Sequence, residues 1–210
     1  MVFTSETDYG QTIEEFGQKE GIEQLELVFQ LYKEEEKKEK LVKKLQLLKK
    51  DLKRADVKDI SNKLKTLKIV VRGHKNRIKD FKSKIKESYN LFEIKRNVEK
   101  NGQYLKNLVK EYKKGELESN TYETTRIDYS QKIEKDLRNL KRLQLLARSL
   151  FRDLKSEAFS LEKERLDLRS ERLRKNLSKI SYNKKKELIE KNKNLLRKKL
   201  IFLNSEIIDY

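Results

Sequence analysis

Lys65, Lys68, Arg72, Lys75, Lys79, Lys82 and Lys86 recur at alternating spacings of three and four residues. On an α-helix this spacing lines seven cations along one edge, over about 32 Å at 1.5 Å per residue. The chemistry open to such an edge is electrostatic. It matches the charge of a phosphate-bearing polymer or of an anionic lipid surface, so these seven residues form the candidate anionic-surface binding site. Asp80 is the one acid between Ser61 and Lys86, and Lys63, Arg77 and Lys84 add charge on the opposite flank. An internal use competes with this one. If the preceding segment folds back, Glu34, Glu35, Glu36 and Glu39 come opposite residues near 72–77 and neutralise part of the edge.

Covalent and acid–base chemistry find little support. The chain has no cysteine, so it has no disulfide, thiolate ligand or thiol nucleophile. Its single histidine, His74, falls on an apolar helical stripe, the place of a polar residue that fixes register. Most carboxylates stand three or four residues from a Lys or Arg, as exposed ion pairs do. No glycine-rich phosphate cradle and no nucleophile–base set is visible. The expectation is a protein that is not an enzyme, with no catalytic, cofactor-binding or metal-binding residues and no small-molecule substrate.

Composition bounds the elements that position the cations. Of 210 residues, 35% are hydrophobic and 42% charged, too polar for a thick core. Proline is absent and glycine occurs six times, which disfavours a loop-rich or sheet-rich fold. Long helices that each bury one narrow stripe suit this mixture. The net charge of +18 favours polyanionic partners: an anionic membrane, nucleic acid or an acidic protein. No base-reading motif is present, so any nucleic-acid binding would be directed at the backbone. No run is long enough to span a bilayer, and the first ten residues do not read as a secretory signal. A cytoplasmic protein, at most peripheral to a membrane, is expected.

Apolar periodicity predicts an all-α fold: an elongated antiparallel helical hairpin or coiled-coil bundle of three to four long helices. Residues 1–21 read as an acidic, flexible arm, since residues 1–30 hold one Lys against seven acids. Residues 22–210 read as a single elongated bundle with helices over about 22–54, 57–114, 120–178 and 183–208. Asp56 is a candidate cap for the second helix. The seam Val57, Ile60, Leu64, Leu67, Val71, His74, Ile78, Phe81, Ile85 then slips by one residue after Ser88. Asn101-Gly102 is a possible stop. Residues 178–183 carry Ser and Asn and can bend the chain.

The tract KKGELESNTYE, residues 113–123, predicts a turn at 115–120. Gly115 suits a left-handed C-cap, and Asn120 with Glu123 suits a capping box, with Tyr122 beside them. Leu108, Tyr112, Gly115, Leu117, Thr121, Tyr122, Glu123 and Tyr129 together resemble the helical hairpin tip of archaeal coiled-coil proteins, including the CdvA-type partners of the ESCRT division machinery. The resemblance implies a filament-forming or membrane-remodelling scaffold.

At the other end, Leu200, Leu203 and Ile207 share one face of the most apolar stretch and are candidates for docking a partner. The expected function is therefore a non-enzymatic scaffold that associates with itself as a homo-oligomer and binds an anionic membrane. The alternatives are a backbone-directed nucleic-acid-binding protein and a helical interaction subunit docked on another protein.

Overall fold

The computed structural model describes the backbone of residues 7–51 and 57–209, and the side chains of residues 18–50 and 60–209. Five α-helices follow one another: α1 (Thr7–Asp51), α2 (Val57–Lys84), α3 (Leu91–Lys113), α4 (Ser119–Leu173) and α5 (Lys179–Phe202). A short 3-10 turn, Glu87–Tyr89, precedes α3, and a π-helical turn, Leu203–Ile208, follows α5. No strand occurs among the described residues. The all-α class holds, with five helices in place of the expected three to four.

The additional helix comes from one break. The helix expected over 57–114 is divided at residues 85–90. Lys86 adopts an extended conformation, and its backbone N–H donates to Gln24 Oε1 on α1 at 2.9 Å. Asn90 then starts a new helix. Its side chain accepts weakly from the Glu93 N–H at 3.4 Å and donates to Glu93 Oε2 at 2.9 Å. The one-residue slip in the seam after Ser88 is therefore a chain break with a new cap, not a change of winding. The helix expected over 120–178 ends at Leu173, and the next begins at Lys179 rather than 183. Through Asn101-Gly102 the helix runs unbroken. The acidic arm expected at 1–21 lies partly outside the described residues. From Thr7 its backbone is helical and continuous with α1. Asp56 also lies outside the described residues.

The turn between α3 and α4 closes with two hydrogen bonds. Gly115 N–H donates to Tyr112 O at 3.0 Å and Glu116 N–H to Glu111 O at 3.1 Å, with Gly115 at φ +76°. This pair is the Schellman motif, which satisfies carbonyls that the helix end leaves open. The same motif recurs between α4 and α5. Lys175 N–H donates to Arg172 O at 3.2 Å, Asn176 N–H donates to Glu171 O at 3.0 Å, and Lys175 has φ +59°. The two left-handed residues stand sixty positions apart, and the flanking positions match in burial. Ile94, Leu108 and Leu117 correspond to Leu154, Leu168 and Leu177.

The chain forms two compact units, residues 1–139 and 140–210. In the first, α1 packs along α2, and the densest core gathers Leu25, Val28, Phe29, Leu31, Ile85, Tyr89, Leu91 and Ile94. Tyr32 stacks on Phe92 with ring centroids 6.5 Å apart. Outward from the first Schellman turn, Tyr112 stacks on Tyr122 at 4.1 Å and Tyr104 meets Tyr129 at 5.5 Å. In the second unit, Leu140, Leu143, Ala147, Phe202, Leu203 and Ile207 are buried, and Lys193 Nζ pairs with Glu162 Oε2 at 2.5 Å.

The two turns differ in one physical respect. A left-handed conformation costs an L-residue about 1–2 kcal/mol, and glycine avoids that cost while losing more chain entropy on folding, about 0.5–1 kcal/mol. Lys175→Gly is therefore expected to stabilise the protein by about 0.5–1 kcal/mol. Gly115→Val is expected to destabilise it by about 1 kcal/mol or more. Nothing lies within 4 Å of a Cβ built at Gly115, so that cost is conformational and not a clash. Urea denaturation of the two variants beside the parent protein measures both, and equal midpoints for all three would remove the argument.

Candidate anionic-surface interface

The basic edge is set by how α2 lies on α1. Leu64, Val71, His74 and Ile78 are buried at the heptad spacing that the sequence shows. With that stripe turned inward, Lys65, Lys68, Arg72, Lys75, Lys79 and Lys82 face water, and all six are exposed. The seventh cation, Lys86, falls beyond the end of α2, in the break before α3. Ile69 lies on the same outer face, four residues after Lys65 and three before Arg72, and is 71% exposed.

A buried polar cluster holds the register. Glu34 of α1 is only 8% exposed, as is His74 of α2. Glu34 Oε2 receives His74 Nδ1 at 2.6 Å and Arg77 Nε at 2.8 Å, and Oε1 receives Lys37 Nζ at 2.8 Å. A carboxylate only accepts, so the proton between Glu34 and His74 belongs to Nδ1. Arg77 Nη2, 2.9 Å from the same ring nitrogen, cannot donate to it. Ring and guanidinium are held together by the carboxylate they share. Burial alone would push the Glu34 carboxyl up. The hydrogen bonds from Lys37, Arg77 and His74 outweigh it and lower the carboxyl to about 2.

This geometry decides how far the acids of α1 neutralise the edge. Glu34 goes to the opposite flank, at His74 and Arg77. Glu35 pairs with Lys82 at 3.2 Å. Glu36 and Glu39 pair within α1, with Lys40 at 2.5 Å and Lys43 at 2.8 Å. Glu20 pairs with Lys86. Two of the seven expected cations are thus bound internally. Among the described residues no carboxylate lies within ion-pair distance of Lys65, Lys68, Arg72, Lys75 or Lys79.

The other expected sites fall differently. Gly115 takes the predicted left-handed cap, and Tyr122 is held in the stack with Tyr112. The capping box does not form. Helix α4 begins at Ser119, and Tyr122 N–H donates to Glu118 O at 2.9 Å, which places Asn120 inside the first turn. Glu123 reaches forward to Arg126 at 2.9 Å instead of back to Asn120. Leu203 and Ile207 are fully covered within the chain, and Leu200 is half-buried. The Ile207 carbonyl accepts a hydrogen bond from Gln144 Nε2 at 3.2 Å, which fixes the C-terminal turn to α4. Leu203 and Ile207 belong to the core of their own unit and are not presented to a partner.

The second Schellman turn escaped the sequence reading because Lys occupies its left-handed position. Its signal was the cap that follows. Ser178 accepts from the Ser181 N–H at 3.1 Å, and the tract N-L-S-x-x-S-Y repeats the spacing of E-L-E-x-x-T-Y sixty residues earlier. Among the described residues no group of three or more His, Asp or Glu is placed to hold a metal. No described helix is long and apolar enough to cross a membrane. No protein-family model, curated protein or solved structure matches the chain.

The Glu34 cluster has a pH signature. Its folded value lies below the ordinary 4.5, so its stabilisation is present in full above pH 4.5 and is lost as pH falls toward 2. The linkage is on the order of 3 kcal/mol. Glu34→Gln is expected to lower stability at pH 7 by about that amount and to flatten the acid limb between pH 4.5 and 2. Thermal melts of both proteins across that range test it. An unchanged acid limb in the variant would show that Glu34 does not carry the effect.

Proposed function

We propose that the chain is a non-enzymatic scaffold that binds an anionic membrane surface through the outer edge of α2. The observation that carries this reading is the run Lys65, Lys68, Arg72, Lys75 and Lys79, exposed and without a carboxylate partner among the described residues. Free cations held at a fixed spacing on a rigid helix attract a negatively charged sheet of headgroups. Ile69 beside them, about 40° round the helix from Lys65, favours lipid over nucleic acid, because an exposed apolar side chain gains by entering an acyl boundary and gains nothing against phosphates.

Within each unit the scaffold is built of antiparallel helical pairs of coiled-coil type. The burial stripes at heptad spacing and the ring pairs spreading from the α3–α4 turn support this. Self-association is part of the same proposal. Phe159, Leu166 and Leu173 repeat every seven residues on α4, and all three are more than half exposed. An exposed stripe at that period is the pattern by which one helix recruits another. A role in a membrane-remodelling or division assembly, inside the cell, follows from the resemblance of residues 108–129 to CdvA-type hairpin tips.

The triple charge reversal Lys68→Glu, Lys75→Glu, Lys79→Glu tests the edge. It is expected to lower affinity for phosphatidylserine-containing vesicles by about a hundredfold or more, with helicity unchanged. Parent binding should weaken as salt rises. Equal binding by parent and variant would dismiss the edge, and binding to duplex DNA but not to vesicles would select the nucleic-acid alternative. For self-association, Phe159→Ser with Leu173→Ser is expected to shift the sedimentation coefficient to that of a smaller species without lowering the melting temperature. A sedimentation profile identical to the parent's would remove α4 as the contact.

A further inference from the structure

The outer face of α5 carries a second apolar feature, unlike the C-terminal turn in being uncovered. Leu188 and Leu195 stand seven residues apart, 59% and 40% exposed, while Ile189 and Leu196 beside them are buried. At 100° per residue the two exposed leucines lie within about 20° of each other, on a flank about 100° round the helix from the buried stripe. Lysines flank them. Lys184, Lys191 and Lys198 run along one side, and Lys185 stands on the other. All four are exposed, and no carboxylate among the described residues is within ion-pair distance of them. The nearby acids Glu187 and Glu190 fall outside the sector between these lysines.

We propose that this face of α5 lies in the interface of an anionic bilayer. Leu188 and Leu195 would enter the headgroup–acyl boundary, and the four lysines would sit at headgroup level. Two leucines in water are a cost that only an apolar medium removes, and lysines with apolar stems and charged tips suit the boundary between such a medium and phosphate. The charge pattern argues against the other occupants. A second copy would bring four lysines against four lysines with no acid between them. Nucleic acid would satisfy the lysines and leave the leucines unburied. The proposal shares its ligand class with the reading of α2. It is carried by a different unit and by apolar insertion as well as charge, so the two stand or fall separately.

The chain has no cysteine, which allows one reporter to be placed cleanly. Leu188→Cys in the full chain, labelled with a polarity-sensitive dye, is mixed with vesicles of phosphatidylcholine and phosphatidylserine. A blue shift is expected with these vesicles and not with phosphatidylcholine alone. Leu188→Ser with Leu195→Ser is expected to lower vesicle affinity at least about tenfold. Helicity and melting temperature should be unchanged, because both side chains are exposed. The labelled protein is also made with Lys68→Glu, Lys75→Glu and Lys79→Glu. A blue shift that survives in that background supports the α5 contact even if the α2 reading fails. Vesicle binding by the parent with no blue shift at position 188 overturns the proposal and leaves the α2 reading intact. A blue shift produced by duplex DNA, or a change of sedimentation in place of vesicle affinity for the double serine variant, overturns it in favour of nucleic acid or a second copy.

Discussion

The carboxylate of Glu34 determines which side of α2 meets water. Buried between two helices, it must be met by donors, and His74, Arg77 and Lys37 supply them. Because two of those donors stand on α2, α2 cannot rotate or slide along α1 without leaving a buried charge unpaired. The register so fixed buries Leu64, Val71 and Ile78 and turns the lysine edge outward. It also sends Glu34 to the flank opposite that edge. The same interaction that locks the helices thus keeps the buried Glu34 away from the exposed edge of Lys65, Lys68, Arg72, Lys75 and Lys79.

A chain this polar cannot stabilise its fold with one large core. Each unit concentrates its fully buried residues in one place. In the first, α1, the end of α2 and the start of α3 contribute; in the second, the early part of the 140–173 stretch and the C-terminal turn contribute. Away from those centres most stripe positions are only half-buried. Turn geometry therefore matters more than in a thick globular domain, because few buried contacts remain to impose a direction on the chain. The repetition of one Schellman turn at Gly115 and Lys175 is consistent with that demand. Where the local preference is weaker, at Lys175, Arg172 Nη1 donates to Leu177 O at 2.9 Å across the turn.

The outward faces then follow from what the interior leaves over. On α2 the interior takes one stripe and leaves a row of Lys and Arg along one exposed edge. On α5 the interior takes Ile189 and Leu196 and leaves Leu188 and Leu195 in water among lysines. These two surfaces differ in kind. The first offers mainly charge at fixed spacing, an attraction that salt would weaken. The second joins charge to apolar area, whose transfer from water is little affected by screening.

By itself the sequence determined the helical class, the inward stripe of α2 and the left-handed cap at Gly115. Each is a local property: a period of apolar residues, or the conformational freedom of one residue. It also placed the seven cations on one periodic edge, but it could not say which were free. Lys82 and Lys86 are taken by Glu35 and Glu20, from positions more than forty residues away. The break at 85–90 was written locally in Asn90 and Glu93, yet an unbroken heptad seam competed with it. It was decided when Gln24, on another helix, accepted the Lys86 N–H. The burial of Leu203 and Ile207 was likewise undecidable from their own segment, because an apolar helix face fits its own unit as well as a partner. Side-chain period is fixed by the backbone of one element. Which partner satisfies a donor, a charge or an apolar face depends on what other elements bring within reach, and only the tertiary structure decides that.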